Sequence, residues 1–416
     1  MEQIPVYDVV VVGGGAAGMF AAITAAQCGS RVLLLEKNDR LGKKLAITGK
    51  GRCNVTNNCL PEDVLKNTPR NPKFLFSALR NFPPERTMDF FERHECPLKT
   101  ERGNRVFPQS DRSQSVIDAL RRGLRENNVV VRKATVQKIY EKDGAVTAVK
   151  TDTDLISCQC VILATGGVSY PATGSTGDGY AFAEALGHTV VPPMASLVPM
   201  VESGDWCAQM QGLSLRNVDV RLLTPNGKRI AEEFGELLFT HFGLSGPTIL
   251  SLSAHVSQEK PCQISIDLKP ALDEKKLDER ILRDFEQYQN RTFENALVGL
   301  FPHTMIPIMV ARSGIPPQTR VNSITKQQRK ALLTLIKDFR ICISSLRPVE
   351  EAIITAGGVK VSEVNPTTME SKKVTGLYFA GEILDVNAYT GGFNLQIAWA
   401  TAYAAGKAAA AQKELV

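Results

Sequence analysis

The sequence predicts an α/β fold: a Rossmann-like domain split by a β-rich plus small helical insertion. Three observations predict it. An apolar strand runs into Gly13-x-Gly15-x-x-Gly18, a helix, and a second apolar strand that ends in Glu36. After Pro192-Pro193 the pattern changes to hairpins and amphipathic helices. Near the far end, Leu377-Tyr378-Phe379-Ala380-Gly381-Glu382 and a long Ala-rich helix restore the α/β pattern. A strand-Gly-acid-loop-helix unit so far from the opening strand belongs to one nucleotide domain interrupted in sequence.

Each part of the opening unit has a physical job. Gly13 turns the chain sharply from strand to helix, Gly15 has no Cβ to keep a pyrophosphate away, and Gly18 lets helix and strand pack closely. Ala16 and Ala17 open a helix over 16–28, whose first N–H groups and dipole favour phosphate; Gly29 stops it. Glu36 accepts hydrogen bonds from the ribose hydroxyls of an adenosine, with Lys37 beside it. A glycine turn used only for packing leaves that acid unexplained, so the unit reads as a dinucleotide site.

Composition narrows the class. A chain of 416 residues, 43% hydrophobic and 22% charged, holds two or three ordinary globular domains. The net charge of +6 is mild and no dense Lys/Arg block occurs, so a nucleic-acid partner is not expected. No secretory leader or membrane span is expected either. Nine scattered cysteines without a Cys-x-x-Cys, and few histidines, argue against a metal site and fit a reducing cytoplasm.

Further along, helices are expected over 73–81, 84–94 and 113–127, the last with Ser110 and Asp111 as capping candidates. Short strands follow over 129–131, 136–140, 145–151 and 155–158, with a turn at Asp143-Gly144, then an apolar strand from Cys160 into Ala164-Thr165-Gly166-Gly167. Pro225-Asn226-Gly227 marks a hairpin between strands at 218–223 and 228–231. A strand at 264–268, helices over 272–289, 293–313 and 326–339, and a strand at 341–345 complete the insertion. The expected domains are 1–191 with 351–416, a barrel-like substrate domain of 192–270 with 320–350, and a helical subdomain of 271–319.

These motifs resemble the three-domain bacterial flavoproteins called HI0933-like, a group with BaiN-like and aminoacetone oxidase-like members. The resemblance rests on residues 12–18, the loop Leu45-Ala46-Ile47-Thr48-Gly49-Lys50-Gly51-Arg52-Cys53-Asn54, Arg105-Val106-Phe107-Pro108, Ala164-Thr165-Gly166-Gly167 and Gly174-Ser175-Thr176-Gly177-Asp178-Gly179. It continues through Phe239-Thr240-His241-Phe242-Gly243-Leu244-Ser245-Gly246-Pro247, Gly381-Glu382-Ile383-Leu384-Asp385 and Thr390-Gly391-Gly392-Phe393-Asn394. Lys50 departs from the pattern, where many members carry a second consecutive glycine. The resemblance implies a Rossmann-like FAD-binding domain of the two-dinucleotide-binding-domain type, holding FAD tightly.

On that resemblance the 41–54 loop runs along FAD. Thr48, Gly49, Gly51 and Asn54 then approach it, and Lys44 or Arg52 neutralises phosphate or flavin charge. Cys53 and Cys59 have five residues between them, one more than the flavin disulfide reductases use, so Cys53 is expected as a small packing residue near the flavin. Val136 begins a strand expected to present backbone to the adenine. Ala164, Thr165, Gly166 and Gly167 close under the ribose and pyrophosphate. Gly381-Glu382 resembles the acid motif that binds ribitol or a phosphate-linked water, and Asp385 is expected near the cofactor as well. Gly391, Gly392, Phe393 and Asn394 open a helix aimed at the flavin C2 carbonyl. The Gly174–Gly179 run has no apolar strand before it, so it is expected to shape the loop into the insertion.

The expected chemistry is FAD-dependent oxidation or reduction of a small molecule in the cleft between the FAD domain and the insertion. His241, Tyr389 and Arg105 are the candidate catalytic side chains: His241 or Tyr389 as proton donor, Arg105 for an anionic substrate. NAD(P)H-linked reduction of an activated C=C, such as a 3-oxo steroid enone, competes with oxidation of a small amine by O2. A flavin-containing binding protein without turnover is the non-enzyme alternative. The sequence carries no signal for oligomeric state.

Overall fold

A computed structural model describes residues 7–256 and 262–412. The chain forms two compact units, Met1–Ser196 with Val349–Val416, and Leu197–Pro348.

The first unit is built on a twisted, mostly parallel sheet. It opens with β1 (Tyr7–Val12), α1 (Ala16–Gln27) and β2 (Val32–Glu36). Val9, Val10, Val11, Leu33 and Leu34 are fully buried. Both faces of these strands are covered, so their sequences read as continuous apolar runs. Strand Val130–Lys133 lies outside β2, and Leu155–Leu163 lies on the other side of β1. Val12 is level with Leu35 on one side and Leu163 on the other. Phe379 of strand Leu377–Phe379 is level with Leu163. Four strand ends therefore meet at one edge, and they deliver Gly13, Glu36, Ala164 and Gly381 to the same place. This is where open α/β sheets bind ligands.

Two expected strands, 155–158 and 160–164, are one: Leu155–Leu163. Exposed Gln159 interrupts the apolar run. The strand's first part pairs antiparallel with Ala145–Thr151, and its last part pairs parallel with Leu377–Phe379. The Asp143-Gly144 turn has both residues left-handed, at φ 53° and 78°, as a tight hairpin requires. Helix Ser113–Glu126 has no side-chain cap. Asp111 instead pairs with Arg52 and Lys99. Pro192 and Pro193 lie within strand Val190–Ser196, where the register against Ile354–Val359 slips between Val191 and Met194. The irregularity accommodates two residues with no N–H to donate. The unit ends after Ser196.

The C-terminal helix Phe393–Ala411 is buried along most of its length and packs on α1. A Cβ at Gly406 would lie 2.5 Å from the Ala21 carbonyl oxygen. That close crossing explains the helix's run of alanines.

The second unit is a closed six-stranded barrel. Its order is Met200–Glu202, Gly243–Ser245, Arg229–Thr240, Ser214–Leu223, Cys262–Asp267 and Phe339–Leu346. The 225–227 hairpin is present, but strand Arg229–Thr240 runs well past Ala231, its polar side chains partly exposed. Helices Glu274–Gln287, Ile306–Ser313 and Lys326–Lys337 share one core with the barrel through Leu277, Ile281, Ile308 and Leu332. Thr325 and Gln328 form a capping box at the start of the last helix. Among the described residues, no helix is long and apolar enough to cross a membrane.

Candidate cofactor site

The site is assembled at the shared strand edge of the first unit. Gly13 has φ 106°, and a Cβ there would lie 2.5 Å from the Ala164 carbonyl oxygen. A Cβ at Gly18 would lie 1.7 Å from the Gly13 oxygen. Gly15 is different. It is the N-cap of α1, next to Ala16 and Ala17, and nothing lies within 4 Å of where its Cβ would be. The first two glycines serve the chain's own packing, and Gly15 keeps a space clear at a helix N-terminus, which suits a phosphate.

Glu36 is held from both sides. Gly14 N–H donates to its Oε2 at 2.6 Å, while the backbone and side-chain amides of Asn38 donate to its Oε1 at 2.8 Å each. Asn38 also donates to the Thr173 carbonyl at 3.1 Å. Lys37 is turned to Asp178 and Thr176, both at 2.5 Å. The Gly174–Gly179 run is thus clipped to the loop after β2, within the first unit. Val136 opens strand Val136–Lys142, two residues after Ala134, whose N–H donates to the Glu36 carbonyl at 3.0 Å.

Lys44, Glu382 and Ser169 form a second knot. The Lys44 ammonium meets Glu382 Oε2 and Ser169 Oγ, each at 2.6 Å. Glu382 Oε1 accepts from Thr355 N at 2.8 Å and from Ser169 Oγ at 3.1 Å. A Cβ at Gly167 would strike the Thr355 side chain at 2.3 Å, and one at Gly166 would come within 4.0 Å of Glu382. Gly381 places its Cα against Ala17, 2.8 Å from the position a Cβ would take. The C-terminal motif therefore touches the start of α1.

The 41–54 loop is left-handed at Gly42, at φ 71°, and again at Gly49, Lys50, Gly51 and Cys53, at φ 56°, 58°, 84° and 62°. Thr48 bonds back to the Leu45 carbonyl. Arg52 lies over the Phe107 ring and meets Glu101 and Asp111, each at 2.5 Å. Its charge is thus met by carboxylates of the chain itself. Cys53 is fully buried, and burial pushes its thiol up to about 12; burial pushes Cys59 up to about 11. Both are free thiols.

Asp385 does not face open space. Arg70 forks onto it, and Asn71 Nδ2 donates to its carbonyl at 2.6 Å. Asn394 turns back to hold the Ala388 N–H and carbonyl at 2.9 and 2.7 Å. Gly391 and Gly392 have φ 127° and 96°, and a Cβ at Gly392 would lie 2.3 Å from the Thr56 carbonyl oxygen. Phe393 is buried beside them. Of the catalytic candidates, Tyr389 is partly buried one residue before Thr390, its N–H on the Asn67 carbonyl at 2.9 Å. Arg105 is exposed and bonds the Arg102 carbonyl. His241 is exposed in the turn after strand Arg229–Thr240 of the second unit. Among the described residues, no group of three His, Cys, Asp or Glu side chains is placed to hold a metal.

The residues present fit FAD. Asn54 Oδ1, 3.0 Å from the position a Gly392 Cβ would take, is buried without a hydrogen-bond partner, as is Thr165 Oγ1, which lies 2.0 Å from the position a Gly179 Cβ would take. Buried polar atoms of this kind call for a ligand. The Asn54 oxygen lies by the start of the C-terminal helix. Sequence reasoning missed Asn38, Ser169 and Thr355. Only Asn38, two residues after the acid, carried a local signal.

Fold and site define a Rossmann-type flavoprotein. The chain belongs to the HI0933-like Rossmann-domain family, whose model matches residues 7–408, and it is accordingly an FAD-dependent oxidoreductase. It is 31% identical to the 3-dehydro-bile acid delta(4,6)-reductase of Clostridium scindens, over 96% of this chain and 98% of that one. It is also 31% identical to the ribosomal RNA dihydrouridine synthase of Escherichia coli, over 96% of each. The 3-ketosteroid delta1-dehydrogenase of Sterolibacterium denitrificans shares the fold, with a TM-score of 0.53 at 14% identity, covering 98% of this chain and all (100%) of that one.

Proposed function

We propose that this protein is an NAD(P)H-linked, FAD-dependent reductase of a C=C bond conjugated to a carbonyl, acting on a small enone. The observation that carries the reading is the pair of relatives matched over nearly the whole chain. A 3-oxo bile acid with a delta-4 bond and a uracil ring have different shapes but one reactive unit, C=C–C=O. Such a unit takes a hydride at the β-carbon and a proton at the α-carbon. Bound FAD supplies the two-electron chemistry.

The chain's own residues bind and orient. Gly15, at the cleared N-terminus of α1, receives the pyrophosphate and Glu36 the adenosine ribose, on the turn that Gly13 and Gly18 shape. Lys44, Glu382 and Thr165 line the middle, and Asn54 with Gly391-Gly392 lines the flavin end. Tyr389 is assigned as the proton donor, since it stands in the same unit next to that loop. His241 would act only if its turn reaches the substrate. The likeness to the ribosomal RNA dihydrouridine synthase of Escherichia coli favours a second reading, in which the bond reduced is that of a uridine in RNA.

The test is anaerobic. NADH or NADPH is added to the purified yellow protein, and the flavin absorption band is followed. Bleaching that is reversed by a 3-oxo-4-ene steroid supports the enone reading, and bleaching reversed only by a uridine-containing RNA supports the second. Failure to bleach, with peroxide formed from small amines in air, replaces both with an amine oxidase.

A further inference from the structure

The C-terminal helix begins right after Gly391 and Gly392, and its fourth residue is Gln396. This amide is fully buried. Its Oε1 accepts the hydroxyls of Thr56 at 2.7 Å and Thr87 at 2.8 Å, and its Nε2 donates to the Phe82 carbonyl at 2.9 Å. Thr56 and Thr87 are fully buried as well. Only an amide fits. A carboxylate has no hydrogen for the Phe82 carbonyl, and an apolar side chain leaves two hydroxyls and a carbonyl unpaired.

The three partners come from separate pieces of chain: strand Thr56–Asn57, helix Pro84–Arg93 and the turn before it. Gly392 lies against the Thr56 carbonyl so closely that no Cβ fits, and Asn57 Nδ2 donates to the Gly391 carbonyl at 3.0 Å. The helix start and the loop carrying Asn54 are thus held in one fixed relation, and Gln396 is the joint.

We propose that Gln396 is a positioning residue for the flavin: it sets where the positive end of the C-terminal helix stands and so tunes the reduction potential. The inference rests on the reading that Gly391–Gly392 face the flavin. A helix N-terminus favours negative charge, and reduction adds it. Loosening the joint weakens binding of reduced flavin more than that of oxidised flavin and lowers the potential.

The test uses the FAD-loaded full chain and the variants Gln396→Met, Thr87→Val and Gln412→Ala. The last loosens the far end of the same helix, where Gln412 meets Cys160 and Glu370. Midpoint potentials are measured by dye equilibration and thermal stability by calorimetry. The expected result for Gln396→Met is a tenfold loss of preference for reduced flavin, about 30 mV for a two-electron couple. Thr87→Val should give a smaller shift of the same sign, and Gln412→Ala lower stability without a shift. A Gln396→Met protein that keeps FAD and shifts by less than about twofold overturns the inference. If Gln396→Met loses FAD, Thr87→Val decides on the same criterion. A wild-type protein that purifies without flavin defeats the underlying reading instead.

Discussion

At the scale of single residues, the three fingerprint glycines separate into two kinds. Gly13 and Gly18 are demanded by the chain itself, because a Cβ at either would strike backbone. Gly15 has free space on the chain's side and is demanded only by what binds there. Two variants should therefore fail differently. Gly13→Ala, at φ 106°, should cost about 2 kcal/mol or more of stability, read as a lower urea midpoint. Gly15→Val should keep its melting temperature without cofactor and bind FAD at least about tenfold more weakly, about 1.4 kcal/mol, read as flavin-to-protein ratio. A Gly15→Val protein with a full complement of FAD would show the space to be placed wrongly. The glycine pattern was legible in sequence. Which glycine serves packing and which serves the ligand was not, since the Ala164 carbonyl that crowds Gly13 lies 151 positions along the chain.

At the scale of elements, charge partners within the chain take up side chains that the sequence leaves unassigned. Lys37 and Arg52 look free in sequence and are taken up by Asp178, Glu101 and Asp111. The same holds for the loop at 361–373. Burial alone would raise the Glu363 carboxyl, but the Thr189 N–H and hydroxyl and the Lys373 ammonium hold it down to about 2. The group is stabilising above the ordinary carboxylate range, and that contribution is lost as pH falls from about 4.5 toward about 2. Glu363→Gln should thus be less stable than wild type at pH 7, by about 2 kcal/mol for a charged hydrogen-bond set. The two proteins should converge as pH falls through that window, followed by thermal melts at matched pH. A gap that stays constant down to pH 2 would remove the carboxylate from the account.

At the scale of the whole molecule, the cofactor candidates all fall in one unit, and the barrel has a core of its own. Ser196 pairs with Ile354, so the two chain ends left by removing the barrel are near each other in that unit. A protein with 197–348 replaced by a short Gly/Ser linker should still purify yellow with FAD, and residues 197–348 expressed alone should unfold cooperatively. Loss of flavin from the first, with the second folded, would mean that the barrel helps to hold the cofactor.

The sequence by itself determined the Rossmann-like fold, the dinucleotide turn, the acid after the second strand and the interruption of the domain. These are local signals: periodicity, glycine spacing and a residue class at a strand end survive reading in one dimension. Only the tertiary structure decided which groups meet across the gap. Lys44 finds Glu382 338 positions away, and Gln396 finds Thr56 340 positions away. Such contacts are set by the level ends of β1, β2 and their parallel neighbours and by the packing of the C-terminal helix on α1. No local pattern records them, because a side chain's partner is fixed by where the sheet places it and not by what precedes it in the chain.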